Sequence, residues 1–218
     1  MGSGNICCVH AVRPRPLIGG STNLTGRASS RHACLPKTHD LFPGGSQLGG
    51  APNNFAYMIN LLGDRGLVAS RVGKDELGSQ TKRKLESLTL ETSFLQIDSI
   101  HPTGTVRVLF DQAGQPIYEI TESVAWYFLE WTEAWRSLTQ RVSAVCFGSL
   151  AQRSPESRNT IRQFLHSLRP GTLRVFDANL RQSFYSAEIL SESTRLADIL
   201  KLNHEELHDA ANREGLLP

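Results

Sequence analysis

Two short segments of the sequence combine residue types that could hold a polar small molecule. The first, GGAPNN at residues 49–54, places Gly49 and Gly50 just before Pro52 and Asn54. Glycine lets a ligand approach backbone N–H groups, and an asparagine amide can both donate to and accept from neighbouring hydroxyls. This chemistry suits a sugar, although the same residues also suit an ordinary turn followed by a helix start.

The second segment, NHEE at residues 203–206, follows an apolar run and spaces Asn203 and Glu206 three residues apart. A carboxylate in this position can hold hydrated Mg²⁺ together with the phosphates of a substrate. The same spacing is equally that of a capping box, which satisfies the start of a helix without any ligand. A further candidate, Arg181, follows the apolar run LRVF, where it could contact a substrate or simply face water.

Alternating strand-like and helix-like segments must position these residues. Apolar runs predict buried strands at residues 67–73, 142–147, 173–176 and 197–202. Helical spacing of apolar residues predicts helices at residues 53–62, after an Asp75 N-cap, and near residues 126–138, 156–168 and 186–194. The alternation predicts an α/β fold with a parallel sheet and helices on both faces, which binds ligands beyond the carboxyl ends of its strands.

Residues 94–120 interrupt this alternation. Within them, GTVRVLF and PIYEI flank the turn-like DQAGQ, which predicts an antiparallel hairpin. Such a hairpin is either a decoration at the edge of the sheet or a small second layer that covers a site. The sequence pattern by itself favours neither arrangement.

Composition limits the classes of function that fit this chain. Its 218 residues are 39% hydrophobic and 20% charged, with a formal net charge of +2, so we expect one sizeable domain with a buried core. The small net charge gives no electrostatic case for a nucleic acid or a membrane surface. Because no apolar run approaches the roughly 20 residues that span a bilayer, we predict a cytoplasmic protein without membrane or nucleic-acid partners.

The first 38 residues differ in kind from the remainder. They contain five bases and no acid, whereas residues 39–218 contain 18 bases and 21 acids. Their richness in Arg, Ser, Gly and Pro predicts a poorly ordered basic head at 1–38, in which only residues 5–12 favour a short strand. Its composition is typical of an organelle transit peptide and equally of a misassigned gene start. One domain is expected over residues 39–218.

Several of these segments together resemble the ribokinase-like carbohydrate kinases, the PfkB family, and within it the fructokinase type. The first family signature is matched by Gly49, Gly50, Pro52, Asn54, Ala56, Gly63 and Gly73. Further similar segments are VGKDELG at 72–78, PTGTVRV at 102–108, VCFGSLAQR at 145–153, FDANLR at 176–181 and KLNHEEL at 201–207. The resemblance extends over roughly residues 39–218.

The resemblance implies a three-layer ribokinase-like fold, incomplete at the C-terminal side, with a mostly parallel sheet and a small β lid at about residues 94–120. It implies sugar binding, with fructose as the expected sugar, by Asp40, Gly49, Gly50, Asn54 and Arg181. It also implies that Asn203 and Glu206 lie near the phosphates of ATP, with Glu206 beside Mg²⁺. Such enzymes transfer the γ-phosphate of ATP to a sugar hydroxyl.

The second family signature, an Asp-Thr-x-Gly-Ala-Gly-Asp-like segment, is not found in these 218 residues. In the family it supplies the catalytic base and an anion hole at a helix N-terminus. We therefore expect a truncated sugar kinase that is inactive alone. The alternative is a non-catalytic sugar-binding or subunit-pairing remnant that forms a homodimer through the lid. A dinucleotide-binding oxidoreductase is not favoured, because no G-x-G-x-x-G follows a first strand.

Overall fold

The structure, a computed structural model of the chain, describes residues 8–11, 31–34, 39–42, 45–48, 51–110, 116–180, 185–204 and 206–207. The strands are β1 (Cys8–Ala11), β2 (Arg31–Cys34), β3 (His39–Phe42), β4 (Gly45–Leu48), β5 (Arg65–Val68), β6 (Ser70–Gly73), β7 (Leu95–Asp98), β8 (Thr105–Phe110), β9 (Pro116–Ile120), β10 (Ala144–Gly148), β11 (Leu173–Asp177) and β12 (Ile199–Leu202). The α-helices are α1 (Ala51–Leu61), α2 (Glu76–Ser87), α3 (Glu133–Thr139), α4 (Pro155–His166) and α5 (Ala187–Leu196).

A six-stranded sheet in the order β1-β12-β11-β10-β2-β5 forms the centre of the molecule. Every neighbouring pair is parallel except β1 with β12, which is antiparallel. From β10 the chain proceeds outward through β11 to β12, whereas from β2 it proceeds in the opposite direction to β5. The strand order therefore reverses between β2 and β10, which is the position where sheets of this kind bind ligands.

Helices cover both faces of this sheet, as the alternation predicts. Along β10, Val145 and Phe147 join the larger core, in which Phe164 of α4 is also buried. Cys146, between them in sequence, points to the opposite face and joins a smaller core with Ala56 of α1. Successive side chains of a strand alternate between faces, so the two cores lie on opposite sides of the sheet. This arrangement confirms the predicted three-layer α/β architecture.

The interrupting segment forms the predicted hairpin. Strands β8 and β9 pair antiparallel, with Val106 opposite Ile120 and Phe110 opposite Pro116. Strand β8 also pairs parallel with β3, and β3 pairs antiparallel with β4, which gives a second sheet in the order β4-β3-β8-β9. The hairpin is thus half of a small separate sheet and not a decoration on the edge of the larger one.

The strand predicted at residues 67–73 is divided in the structure. Strand β5 lies in the six-stranded sheet, whereas β6 pairs parallel with β7 in a separate two-stranded sheet. Ala69, at the division, is as fully buried as the residues on either side of it. Because the residues on both sides of the division are buried, the apolar pattern does not indicate where the chain passes from one sheet to the other.

The helix predicted near residues 126–138 is also divided. A 3₁₀ turn covers Ala125–Tyr127, and α3 begins only at Glu133, where the Thr132 side chain accepts from the N–H of Trp135. Between them, the Leu129 N–H donates to Ser157 Oγ at 3.0 Å and its carbonyl accepts from Thr160 Oγ1 at 2.7 Å. Side chains of α4 thus satisfy a backbone that a continuous helix would have satisfied internally.

Both β1 and β2 lie within the 38 residues whose composition predicts poor order. Strand β2 is central in the larger sheet, where it pairs parallel with β10 on one side and with β5 on the other. It contains only four residues, with charged Arg31 at its start, so its apolar pattern is too short to stand out. The sheet therefore includes residues on the N-terminal side of the predicted domain boundary.

A helix that crosses a bilayer must be both long and apolar. Within the described part of the chain, no helix meets these two requirements.

Candidate functional site

The carboxyl ends of β10, β11 and β12 are tied together by side chain to backbone hydrogen bonds. Beyond β10, Ser149 Oγ donates to the Ala178 carbonyl at 2.7 Å. Beyond β11, the Leu180 N–H donates to Glu206 Oε1 at 2.8 Å. These contacts hold the segments that follow the three strands together at one edge of the sheet. The sequence predicts that site residues lie in such segments.

At this edge Asn203 and Glu206 form a capping box. The Asn203 N–H donates to Glu206 Oε2 at 2.9 Å, and the Glu206 N–H donates to Asn203 Oδ1 at 2.7 Å. Glu206 is buried, and its other oxygen accepts from Leu180. The capping interpretation of the spacing is therefore confirmed, and the same carboxylate also holds the loop after β11.

In proteins, Mg²⁺ usually keeps several water ligands and is held by one or two carboxylates together with substrate phosphates. Both Glu206 oxygens already accept backbone N–H groups. In the residues that the structure describes, no group of three His, Cys, Asp or Glu side chains could hold a metal ion. The placement of Mg²⁺ beside Glu206 therefore stays a prediction.

An ion pair between a buried aspartate and a partly exposed lysine joins β11 and β12 at the same edge. Asp177, the last residue of β11, is buried and accepts from Lys201 Nζ of β12 at 2.8 Å. The lysine neutralises a carboxylate that would otherwise be costly to bury. The sequence places both residues at neighbouring strand ends, but only the strand order shows that they meet.

The predicted sugar-binding residues are described in part. Asp40 lies inside β3, opposite Gln47 of β4 and Val106 of β8, and so belongs to the smaller sheet. Asn54 lies in α1 and is exposed, whereas Asn53 beside it is buried. The remaining predicted residues, Gly49, Gly50 and Arg181, lie outside the described residues.

The segment after β6 holds the beginning of the hairpin. Asp75 caps α2 by accepting from the Gly78 N–H at 2.7 Å, as predicted. The same carboxylate accepts from the Thr103 N–H at 2.7 Å and from Thr103 Oγ1 at 2.6 Å. Thr103 Oγ1 in turn accepts from the Gly73 N–H at 2.9 Å. Asp75 therefore joins the end of β6, the start of α2 and the residue that leads into β8.

Gly104, between Thr103 and β8, is required by close packing. A Cβ at this position would overlap Nε1 of Trp126 and lie 2.6 Å from its Cδ1. Trp126 is buried in the main core. Only a residue without a side chain lets the indole pack against the start of the hairpin, which explains the glycine in PTGT.

A charged cluster lies at the end of β7. Asp98 is 1% exposed and accepts from the N–H groups of Ile100 and His101, while Arg71 Nε lies 2.9 Å from its Oδ2. The His101 imidazole contacts the same oxygen at 3.0 Å and stacks on Phe128. Burial opposes ionisation of the carboxyl, but the His101 and Ile100 N–H groups, the imidazole and the guanidinium together lower the pKa of Asp98 to about 2.

Comparison with known proteins identifies the family. The model of the pfkB family carbohydrate kinases matches residues 23–216. The fructokinase of Escherichia coli is 32% identical over 167 residues, which are 72% of this chain and 53% of that protein. A double-mutant fructokinase of Vibrio cholerae O395, solved with fructose, ADP and potassium bound, has a TM-score of 0.63 at 27% sequence identity. The aligned region is 77% of this chain and 58% of the fructokinase chain.

The fold is shared with more distant structures as well. An uncharacterized sugar kinase of Pyrococcus horikoshii has a TM-score of 0.70 at 24% sequence identity. The aligned region is 77% of this chain and 61% of the sugar kinase chain. The chain spans about half the length of the curated relatives that it matches. The family model nevertheless covers most of its residues, including β2 to β12. This chain belongs to the PfkB family of carbohydrate kinases.

Proposed function

We propose that these 218 residues form the sugar-binding part of an ATP-dependent sugar kinase of the fructokinase type. The observation that carries the proposal is the reversal of strand order between β2 and β10. Ligands of open parallel sheets bind outside the carboxyl ends of the strands at such a reversal. The strand that follows β2 in the chain is β3 of the smaller sheet, which makes that sheet the natural cover for a ligand bound there.

Fructose is the proposed sugar and ATP the proposed phosphoryl donor. The Vibrio cholerae fructokinase with bound fructose and ADP supports both assignments. In the proposal, Asp40, Gly49, Gly50 and Asn54 bind sugar hydroxyls, and Arg181 contacts the sugar or the transferring phosphate. A sugar hydroxyl attacks the γ-phosphate of ATP, and positioning with charge stabilisation supplies most of the catalysis. We also propose that the protein acts in the cytoplasm.

Asn203 and Glu206 are proposed to lie beside the phosphates of ATP. Their position after β12 and next to the loop that follows β11 supports this role, because both loops lie at the edge where ligands bind. Their reciprocal hydrogen bonds fix the backbone of residues 203 and 206 at this edge. In this role the pair acts chiefly by positioning the backbone.

A second candidate is a non-catalytic sugar-binding or subunit-pairing protein. It is favoured by the absence, within these 218 residues, of the family's Asp-Thr-x-Gly-Ala-Gly-Asp-like segment. The two candidates share the sugar site and differ in phosphoryl transfer. The coding DNA after residue 218 distinguishes them, because a downstream Gly-Ala-Gly-Asp segment is expected for the kinase and not for the binding protein.

Calorimetric titration of fructose into the 218-residue chain tests the sugar site. We expect saturable binding that Asp40→Asn or Asn54→Ala weakens about tenfold, because each change removes a hydrogen bond to a sugar hydroxyl. Asn159→Ala removes an exposed amide on α4 and is the matched control, which we expect to bind like the unchanged chain. No binding of fructose, or equal weakening by all three changes, contradicts the proposed site.

Phosphoryl transfer is measured separately, as formation of ADP in the presence of ATP and fructose. We expect no fructose-dependent formation of ADP by these 218 residues, because they lack the segment that supplies the catalytic base in the family. Clear sugar-dependent ADP formation contradicts this expectation and requires a base elsewhere in the chain.

A further inference from the structure

The two faces of strands β11 and β12 differ in how far they are buried. On the face of the larger core, Phe176 is 1% exposed and Leu200 is 4% exposed. On the opposite face Leu173 is 37% exposed, and Val175 and Ile199 are only partly buried. Because successive side chains of a strand alternate between faces, the same two strands form a covered core on one side and a partly open surface on the other.

The helices on the partly open side cover other strands of the sheet. A Cβ at Gly66 of β5 would overlap the Ala56 carbonyl, so α1 packs directly on that strand. Ala56 and Leu85 of α2 form the smaller core with Cys146 of β10, which is 3% exposed. Val175 of β11 only packs against this core, and no described residue of β12 belongs to it. In the part of the chain that the structure describes, the helix layer on this side is therefore narrower than the sheet.

Strand pairing places the uncovered side chains next to one another. Val175 lies opposite Ile199, and Asp177 lies opposite Lys201. Leu173 precedes Val175 by two residues and so lies on the same face. The surface formed by Leu173, Val175 and Ile199, here named the β11–β12 face, is apolar, and it ends at the carboxyl edge of the sheet in the ion pair of Asp177 with Lys201.

Relatives with the same fold contain more chain than aligns with this one. Parallel strands are normally buried on both faces by helices, so a further helix on the β11–β12 face would complete the layer. The aligned region is 61% of the Pyrococcus horikoshii sugar kinase chain and 53% of the Escherichia coli fructokinase. The family's second signature is also not found in these 218 residues. The relatives therefore have a C-terminal part that could supply such a helix.

We propose that the β11–β12 face is the docking surface for the C-terminal part of a PfkB kinase, which packs the apolar side of an amphipathic helix on Leu173, Val175 and Ile199. Burial of these three side chains from water drives the association. The ion pair of Asp177 with Lys201 keeps the carboxyl edge polar, so that edge stays available to the phosphates proposed to bind there. The inference rests on the proposed function, because its partner is the remaining part of such a kinase.

Co-purification tests the proposal without fructose or ATP. The tagged 218-residue chain is co-expressed with the part of the Escherichia coli fructokinase that follows the aligned region, and we expect the two polypeptides to purify together in equal amounts. Ile199→Lys should lower the amount of co-purified fragment about tenfold or more, because it places a charge in an apolar contact. Leu173→Lys should lower it about threefold, since Leu173 lies at the start of the strand.

Ile100→Lys is the matched control. Ile100 is an exposed isoleucine just beyond β7, away from the β11–β12 face, so its replacement should leave co-purification unchanged. Thermal melts confirm that each variant is folded, and if Ile199→Lys is not, Leu173→Lys decides.

Three results overturn the proposal. They are failure of the fragment to co-purify, co-purification by the folded β11–β12 variants equal to that of Ile100→Lys, and a halved mass of the chain alone on Ile199→Lys substitution. The last result would assign the β11–β12 face to a second copy of the chain. Titration with fructose tests the proposed function separately, so the sugar site can fail while the docking surface stands.

Discussion

Asp98 shows how much a single buried carboxylate can contribute to this fold. It accepts from two backbone N–H groups and contacts one imidazole and one guanidinium while only 1% exposed. Arg71, which supplies the guanidinium, also donates to the Phe128 carbonyl at 2.7 Å. The carboxylate therefore holds Arg71 and His101, and these two residues join the two-stranded sheet to Phe128. The charged form of Asp98 is favoured by the fold, which makes stability depend on pH.

The expected pH dependence follows from the direction of this shift. The pKa of Asp98 falls from 3.8 to about 2 on folding, so its stabilisation is complete well above 3.8 and is lost as pH falls towards 2. We expect Asp98→Asn to lower the free energy of unfolding by about 2 kcal/mol at pH 7. The difference from the unchanged chain should shrink by about 1 kcal/mol between pH 5 and pH 3. Urea unfolding at these pH values measures it.

Glu133→Gln is the control for this experiment. Glu133 is 80% exposed and pairs with Arg136 on the surface of α3, so its replacement should cost little at any of these pH values. If Asp98→Asn lowers the free energy of unfolding by the same amount at pH 3 and pH 7, the charge of Asp98 is not what stabilises the cluster.

Among the elements, the hairpin depends on contacts at its beginning. Asp75 holds Thr103 through two hydrogen bonds, and Trp126 packs on Gly104 immediately before β8. The hairpin is therefore fixed where it leaves the main body, by residues that also begin α2. If the smaller sheet covers a sugar, as proposed, Asp75 sets the position of that cover.

Asp75→Asn tests this anchoring. An asparagine NH₂ group cannot accept from the donors that surround the carboxylate, so at least one of three hydrogen bonds is lost. We expect the backbone amides of β8 to exchange with deuterium about tenfold faster, because local opening becomes easier.

Glu76→Gln changes the neighbouring carboxylate and is the comparison. Glu76 is 71% exposed and interacts with Arg83 and Gln80 on the surface of α2. It should leave exchange in β8 unchanged. Equal exchange rates in the two variants would rule out Asp75 as the anchor of the hairpin.

For the whole molecule, the smaller sheet is the proposed site of self-association. In its order β4-β3-β8-β9, strand β9 is at the edge, with no further strand paired to it in the described residues. Leu109, on the adjacent β8, is 44% exposed. Open strand edges and exposed apolar side chains are typical of surfaces that pair with a second copy.

We expect the chain to be a homodimer that Leu109→Lys converts to a monomer, because a charge at a closely packed interface is costly to bury. Size-exclusion chromatography with light scattering measures the mass. Leu62→Lys changes an exposed leucine beyond α1 and should leave the mass unchanged. A monomeric unchanged chain, or equal dissociation by both lysines, contradicts pairing through the smaller sheet.

Features that depend on near neighbours in the chain could be predicted from the sequence. The alternation of strands and helices, the hairpin around DQAGQ, the Asp75 cap and the capping box of Asn203 and Glu206 are all visible in spacings of a few residues. Periodicity and side chain to backbone hydrogen bonds act over such distances, so sequence patterns record them. The family resemblance was visible for the same reason, because its signatures are short and local.

Contacts between distant residues required the three-dimensional fold. The change of sheet at Ala69, the interruption before α3 and the ion pair of Asp177 with Lys201 depend on elements far apart in the chain. Backbone groups at the interruption are satisfied by side chains of α4, which no local pattern can show. The reversal of strand order beside β2 likewise arises from long-range pairing, and that pairing positions the strand ends around the proposed site.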